Sequence, residues 1–292
     1  MKRLLIRALE ENAGKYWYQD VLYSGVVFAV TPLGVVSSRQ VENGRIVGPY
    51  RPICALENDQ SMQVDLTGQL SDYTLPQYLG KPYSGIGFEF SGDICDREVL
   101  LKDGVTYAEA QWTKDGVMLY FDVPNDKFGE VYEWYPNGSL KGIKISTNSK
   151  FYGSINFAED GRLTYLGACR GLLKNLQTIS DSARFFPFAS MLGLASAKAA
   201  ETFVLFGDDI DDDFFQRLLE FGALDDVSVL KLNSVNVNRL GLDGLRFLRE
   251  LRFETNNALT SEVHESHIRN LATSFKKSYS RIRVFLNGKE LS

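Results

Sequence analysis

The densest group of reactive side chains is Gly207-Asp-Asp-Ile-Asp-Asp-Asp213, in which Asp208, Asp209, Asp211, Asp212 and Asp213 place five carboxylates within six residues. At the start of a helix such residues cap free N–H groups and complement the dipole, each for a few tenths to about 1 kcal/mol. A calcium loop needs alternating oxygen ligands, a glycine at the bend and a closing glutamate, and the run supplies none of these convincingly. The alternative to capping is an acidic patch for a cationic partner, which would relieve repulsion among the charges. His264 and His267, the two histidines, are three apart and share a face if helical. That spacing suits zinc or a general base, but no cysteine or second histidine pair supports it, so they read as surface histidines. Neither a Gly-x-Ser-x-Gly elbow, nor a phosphate loop, nor a dinucleotide fingerprint occurs, and no enzyme activity, metal or cofactor is expected.

The balance of the chain limits its partners. The 292 residues carry a net charge of −5, with 44% hydrophobic and 24% charged residues. A general nucleic-acid binder needs a basic face, so nucleic acid is not expected. Arg269, Lys276, Lys277, Arg281 and Arg283 make only the end of the chain locally basic, as on a solvated helix face and a charged edge strand. Cys54, Cys95 and Cys169 are too scattered for a disulfide framework or a metal knuckle. The first eleven residues do not form a signal peptide, and Phe185 to Ala200, with Pro187 and Lys198, falls short of the ~20 residues a spanning helix needs. A soluble cytoplasmic protein without membrane insertion is expected.

The elements that position these residues are repeats. Gly129 to Leu140 and Tyr152 to Leu163 share one pattern, with Trp134 on Phe157, Asn137 on Asp160 and Gly138 on Gly161, a period of 23 residues. Asp115-Gly116, Gly68 and Gly34 extend it backward, with Tyr23-Ser-Gly25 nine residues ahead of Gly34 as Gly129 is ahead of Gly138, and Tyr83-Ser-Gly85 begins another unit, six in all between about residues 21 and 167. Positions four and six before the turn glycine are apolar in each unit, as in Trp112 and Ala110 or Phe157 and Ile155, with the third filled by Phe88 and Phe90. The residues between are mostly polar or small. This is the alternation of an antiparallel sheet with one wet face, so a long meander of β-hairpins is predicted over residues 1–168. If a partner is held by that sheet, the wet-face residues Gln111, Glu133, Tyr135 and Asn156 would touch it.

The run Tyr-x-Gly, aromatic, Asn/Asp-Gly-x-Leu, with Asn43-Gly44-Arg-Ile-Val-Gly48-Pro-Tyr50, resembles the MORN-variant repeats of bacterial proteins. The resemblance covers roughly the first half of the chain. It implies a protein-binding sheet of antitoxin-like character, without catalytic residues to carry over. Beyond a helical connector expected over 169–200, a second pattern sets apolar residues at relative positions 0, 3 and 5, most clearly Leu248-x-x-Leu251-x-Phe253-x-x-Asn256. This resembles leucine-rich repeats, with helices predicted over Asp212 to Phe221 and Ser261 to Tyr279. The expectation is an α+β protein, an antiparallel β-meander followed over 201–292 by an α/β leucine-rich-repeat-like domain. The expected role is an immunity or antitoxin-like protein that neutralises a cognate toxin domain with a basic surface by occlusion. The alternatives are a MORN-type scaffold or membrane-surface adaptor, and a hydrolase whose carboxylates meet in an inter-domain cleft.

Overall fold

The computed structural model describes residues 1–55, 61–70, 75–123, 129–147, 150–172, 198–220, 222–237, 245–255 and 262–291. Among the described residues strands take up 52% and helices 11%, with two α-helices. The expected α+β class with an α/β leucine-rich-repeat-like domain is therefore corrected to a mostly β protein. Compactness separates two units, Met1–Pro124 with Val131–Gly138, and Asn125–Glu130 with Ser139–Ser292.

The first unit runs β1 (Lys2–Leu5), β2 (Glu10–Asn12), β3 (Lys15–Tyr18), β4 (Val21–Leu22), β5 (Gly25–Val30), β6 (Val36–Glu42), β7 (Arg45–Pro49) and β8 (Gln63–Asp65). It continues with β9 (Gln77–Tyr78), β10 (Lys81–Pro82), β11 (Gly85–Ser91), β12 (Ile94–Lys102), β13 (Val105–Trp112) and β14 (Met118–Val123), and includes β15 (Gly129–Trp134) from Val131 on. Its pairings reveal a longer period than the hairpin period of the sequence. β1 lies parallel to β5 with Arg3 opposite Val26, and β8 lies parallel to β11 with Gln63 opposite Ile86. Gly25 opposes Val41 in the β5–β6 hairpin, and Gly85 opposes Leu101 in the β11–β12 hairpin. Each correspondence is a shift of sixty residues, and Tyr23-Ser-Gly25 and Tyr83-Ser-Gly85 are the same motif in two copies.

The two copies clasp each other. The first strand of each pairs with its own second strand and also touches the other copy at its third strand, through Leu4 opposite Ile94 in β12 and through a bridge from Val64 to Val35, the residue that leads into β6. The pairings β5–β1–β12–β11–β8–β6–β5 thus close into a six-stranded ring with an internal pseudo-twofold. Phe28 and Phe88, which correspond, meet inside it with ring centroids 5.0 Å apart. The outer side of each copy is covered locally: Leu9, Tyr16 and Tyr18 pack over Leu4, Tyr23, Val27 and Val41, while Leu70 and Tyr78 pack over Val64, Val99 and Leu101.

This arrangement also corrects part of the hairpin reading. Gly68 turns no hairpin, because β8 is the counterpart of β1 and pairs in parallel, and Met62, expected to be buried, is 45% exposed. Period-two alternation cannot distinguish a hairpin arm from a parallel strand. The third unit, for which the sequence marks Phe88 and Phe90 but no clean turn glycine, turns at Gly92 with φ +68. The copies diverge where β13 continues into β14. Pro49 and Pro52 stand in the first copy where β13 has Glu109 and Trp112, and without N–H groups they cannot extend the ladder; among the described residues β7 pairs with β6 alone.

In the second unit, β16 (Leu140–Thr147), β17 (Lys150–Phe157) and β18 (Leu163–Ala168) are antiparallel. β19 (Ala199–Phe206), β20 (Val229–Asn233), β21 (Glu250–Glu254) and β22 (Arg283–Leu286) then follow in parallel, and β23 (Lys289–Glu290) turns back on β22. Phe203, Leu230 and Leu251 stand in one row with Val284, and Leu205, Leu232 and Phe253 in the next with Leu286, all buried. The pattern of Leu248-x-x-Leu251-x-Phe253 recurs at Tyr279-x-x-Ile282-x-Val284, but the last strand sits two residues later, with Val284 opposite Leu251. The connectors are what the leucine-rich-repeat reading lacked: α1 (Asp212–Glu220) joins β19 to β20 and α2 (Glu262–Ser278) joins β21 to β22, while residues 234–237 and 245–249 between β20 and β21 form no helix. A solenoid repeats one connector, and here each differs. The two helices bury Phe214, Phe215 and Leu218, and Ile268, Ala272 and Phe275. Most of the expected connector over 169–200 lies outside the described residues.

Candidate functional site

Two polar constellations are built on the ring, one inside and one outside. Inside, Arg3 and Glu98 form an ion pair at 2.8 Å with exposures of 3% and 0%. Tyr50 Oη accepts a hydrogen bond from Arg3 Nη1 at 2.8 Å and donates to Glu98 Oε2 at 3.2 Å, and Cys54 N donates to Glu98 Oε1 at 2.9 Å. The guanidinium lies 3.8 Å from the centre of the Trp112 ring. Burial, reinforced by Glu98, raises the Cys54 thiol, and burial pushes Cys95 up to about 12. Both thiols are thereby protonated and unreactive at neutral pH. The pseudo-twofold gives the same place in the other half to Gln63 and Ser38, where Ser38 Oγ donates to Gln63 Oε1 at 2.8 Å. One half thus joins the copies with an ion pair and the other with a neutral hydrogen bond, which marks this cluster as structural.

Outside, strand register assembles a ladder of charge across β11 to β14. Glu89 opposes Arg97, Arg97 opposes Gln111, Gln111 opposes Tyr120 and Glu109 opposes Asp122. Arg97 Nε lies 2.8 Å from Glu109 and Nη1 3.5 Å from Glu89. Gln111 Nε2 donates to Glu109 as well. One guanidinium therefore serves two carboxylates, and Asp122 has no cation among the described residues. Burial first and the adjacent Glu109 second push the Asp122 carboxyl up to about 6. Burial, Asp122, Glu109 and Glu133 together push the Tyr120 hydroxyl up to about 12. In the first copy the equivalent positions are Ala29, Ser37, Pro49 and Arg51. The ring closes with either set, so the ladder is not required by the fold of a copy.

The structure brings two of the expected contact residues, Gln111 and Glu133, to this ladder around Tyr120. Tyr135 is half-buried in the turn to Gly138, whose N–H donates to the Tyr135 carbonyl. Asn156 is exposed on β17, in the second unit, and accepts from Ser154 Oγ at 3.0 Å. The acidic run serves nearby backbone, in the turn after β18 and at the start of α1: Asp208 Oδ1 accepts from Arg170 N, Asp209 Oδ1 from Gly171 N at 2.8 Å, and Asp211 Oδ1 caps α1 through Phe214 N at 2.9 Å. Asp212 and Asp213 occupy the first turn of α1. His267 Nε2 lies 3.2 Å from the Val237 carbonyl, and the His264 side chain falls outside the described residues. No group of three or more metal-ligating side chains gathers among the described residues. Arg283, in the basic end, pairs with Glu250 and Glu290. Sequence reasoning missed Arg97 and Asp122: Glu109 and Asp122 are thirteen residues apart and only the β13–β14 register makes them neighbours.

No family model and no curated protein matches the chain. It is similar to a solved assembly of accessory secretory proteins 1, 2 and 3 from Streptococcus pneumoniae, at 10% identity over 71% of this chain and 53% of that one, with a TM-score of 0.19. It is also similar to a glycosylation-associated protein complex from Streptococcus agalactiae, at 12% identity over 75% and 54%, with a TM-score of 0.20. The chain spans about half the length of the solved chains it matches, and likenesses this slight carry no argument. No helix among the described residues is long and apolar enough to cross a membrane.

Proposed function

We infer that the protein binds a partner protein through the outer ladder of the second copy, taking a cationic side chain between Asp122 and Glu109. The observation that carries this is the pair of adjacent half-buried carboxylates, one held up to about 6 by burial and by the other, with no cation beside it among the described residues. A basic group from a partner would supply the missing charge while half-buried Tyr120 and Gln111 offer an aromatic and an amide beside it, the composition of an interface anchor. The finer reading, motivated by the MORN-variant resemblance, is an immunity protein that occludes the basic surface of a cognate toxin domain. Affinity capture from the native cell, followed by measurement on the purified pair, tests both. The paired change Glu109→Gln with Asp122→Asn is expected to weaken binding at low salt by about 10-fold or more, for a buried charge pair truncated on one side. Wild-type affinity is expected to rise between pH 5 and pH 7 as Asp122 ionises. Unchanged affinity in the paired variant overturns the surface; a captured partner without toxicity, or one still toxic when co-produced with this protein, overturns the immunity role.

A further inference from the structure

The strands β1, β5, β8 and β11 all end at the same mouth of the ring, because the pairs β1–β5 and β8–β11 are parallel and the two copies face each other head to head. There a cavity of about 590 Å³ opens, lined by Leu5, Phe28, Val30 and Phe90 below and by Arg7, Asp65 and Thr67 at the rim. Phe28 and Phe90, with ring centroids 5.6 Å apart, form its aromatic floor. The rim is asymmetric although the copies correspond. Arg7 is neutralised by Asp93 at 2.7 Å. Asp65 stands where the first copy has Leu5, which is buried at that position, so the fold accepts an apolar residue there and the carboxylate is an addition. One oxygen of Asp65 accepts from Thr67 N and Thr67 Oγ1, at 2.9 and 2.6 Å; the other has no partner among the described residues. The mouth thus combines an aromatic and aliphatic floor with one carboxylate not matched by any cation among the described residues.

We propose that this mouth is a second docking point for the same partner, receiving an arginine or lysine flanked by apolar residues: the stem lies on Phe28, Val30 and Phe90 and the head meets Asp65. The charge of the rim selects a cation over an anion, and the floor selects a long aliphatic stem over a small ion. The proposal rests on the partner-binding reading above, but its test uses no partner. Wild-type protein is titrated with the tripeptide acetyl-Leu-Arg-Leu-amide while the methyl resonances of Leu5, Ile6 and Val30 are followed; acetyl-Leu-norleucine-Leu-amide and free arginine are the comparisons. The arginine peptide is expected to shift those resonances and to bind about 5-fold more tightly than the norleucine peptide, the worth of a partly exposed charge pair. Asp65→Leu, which restores the residue of the sister copy and so retains the fold, is expected to abolish that preference, and Val30→Trp to fill the cavity and block both peptides. Undisturbed resonances, equal binding of the two peptides, or an unchanged preference in Asp65→Leu overturns the proposal, and free arginine binding as well as the peptide makes the mouth a small-molecule site instead. Failure of the outer ladder is read separately, in the Glu109→Gln, Asp122→Asn measurement.

Discussion

Asp122 shows how a residue can be costly to the fold. Its carboxyl is raised from 3.8 to about 6, so between pH 4 and 6 the folded protein holds a proton the unfolded chain has released. Stability therefore falls as pH rises through that window. A displacement of about two units would amount to about 3 kcal/mol in a dry site, and the partial exposure of the group screens this to about 1 kcal/mol. Asp122→Asn is expected to raise stability at pH 7.5 by about that amount and to flatten the dependence between pH 4 and 6, read by urea unfolding across pH. An equally stable or weaker variant would mean that Glu109 and burial do not strain this carboxylate. A residue whose removal stabilises the fold is one whose retention needs a reason outside the fold, and binding supplies it. None of this is legible in Tyr120-Phe-Asp-Val123, where an aspartate at a polar strand position looks like any solvated one.

At the scale of the element, the Tyr-x-Gly motif acquires a mechanism. Tyr23 Oη reaches the carbonyls of Lys2 and Val26, at 2.8 and 2.9 Å, and Tyr83 Oη reaches those of Met62 and Ile86. In each copy the hydroxyl staples the first strand to the second, and the glycine two residues on leaves room for it, since a Cβ there would fall 2.4 Å from Tyr23 Oη or 2.5 Å from Tyr83 Oη. Tyr23→Phe and Tyr83→Phe are each expected to cost about 1 kcal/mol, by removing the hydroxyl's hydrogen bond to the strand carbonyls. Similar losses in chemical unfolding would bear out the equivalence of the two copies; a silent substitution in either would show its staple to be dispensable. The helices were the most legible elements, with α1 and α2 within a residue or so of the stretches marked by amphipathic periodicity. The strands were legible as strands but not as partners. Alternation is blind to direction, and β8, three residues long, gives no sign that it repeats β1.

At the scale of the molecule, the sixty-residue correspondence escaped because few side chains keep it. Tyr23 and Tyr83, Gly25 and Gly85, and Phe28 and Phe88 survive, while Arg3 becomes Gln63 and Glu98 answers to Ser38. The hairpin period was easier to see because turns constrain their residues more than pairings do. The ion pair that joins the copies makes a prediction about the whole first unit. Arg3→Ala or Glu98→Ala leaves a charge buried without its partner and is expected to cost about 3–5 kcal/mol. The joint change Arg3→Gln with Glu98→Ser, which installs the neutral pair of the other half, is expected to recover a large part of that loss. If the joint variant is as unstable as the single ones, the two seams of the ring are not equivalent in energy.

The closure of the ring has a consequence for how such a protein can arise. Each copy supplies a first strand that its own hairpin holds on one side and that the other copy's third strand touches on the other. Nothing in that exchange requires a peptide bond between the copies: two separate chains of one copy each, related by a true twofold, could form the same contacts. The ring is a homodimer written into a single chain. Joined halves are free to differ, and two of the places where they do, Asp65 against Leu5 and the Glu89–Asp122 ladder against Ala29 to Arg51, are those to which binding is assigned here.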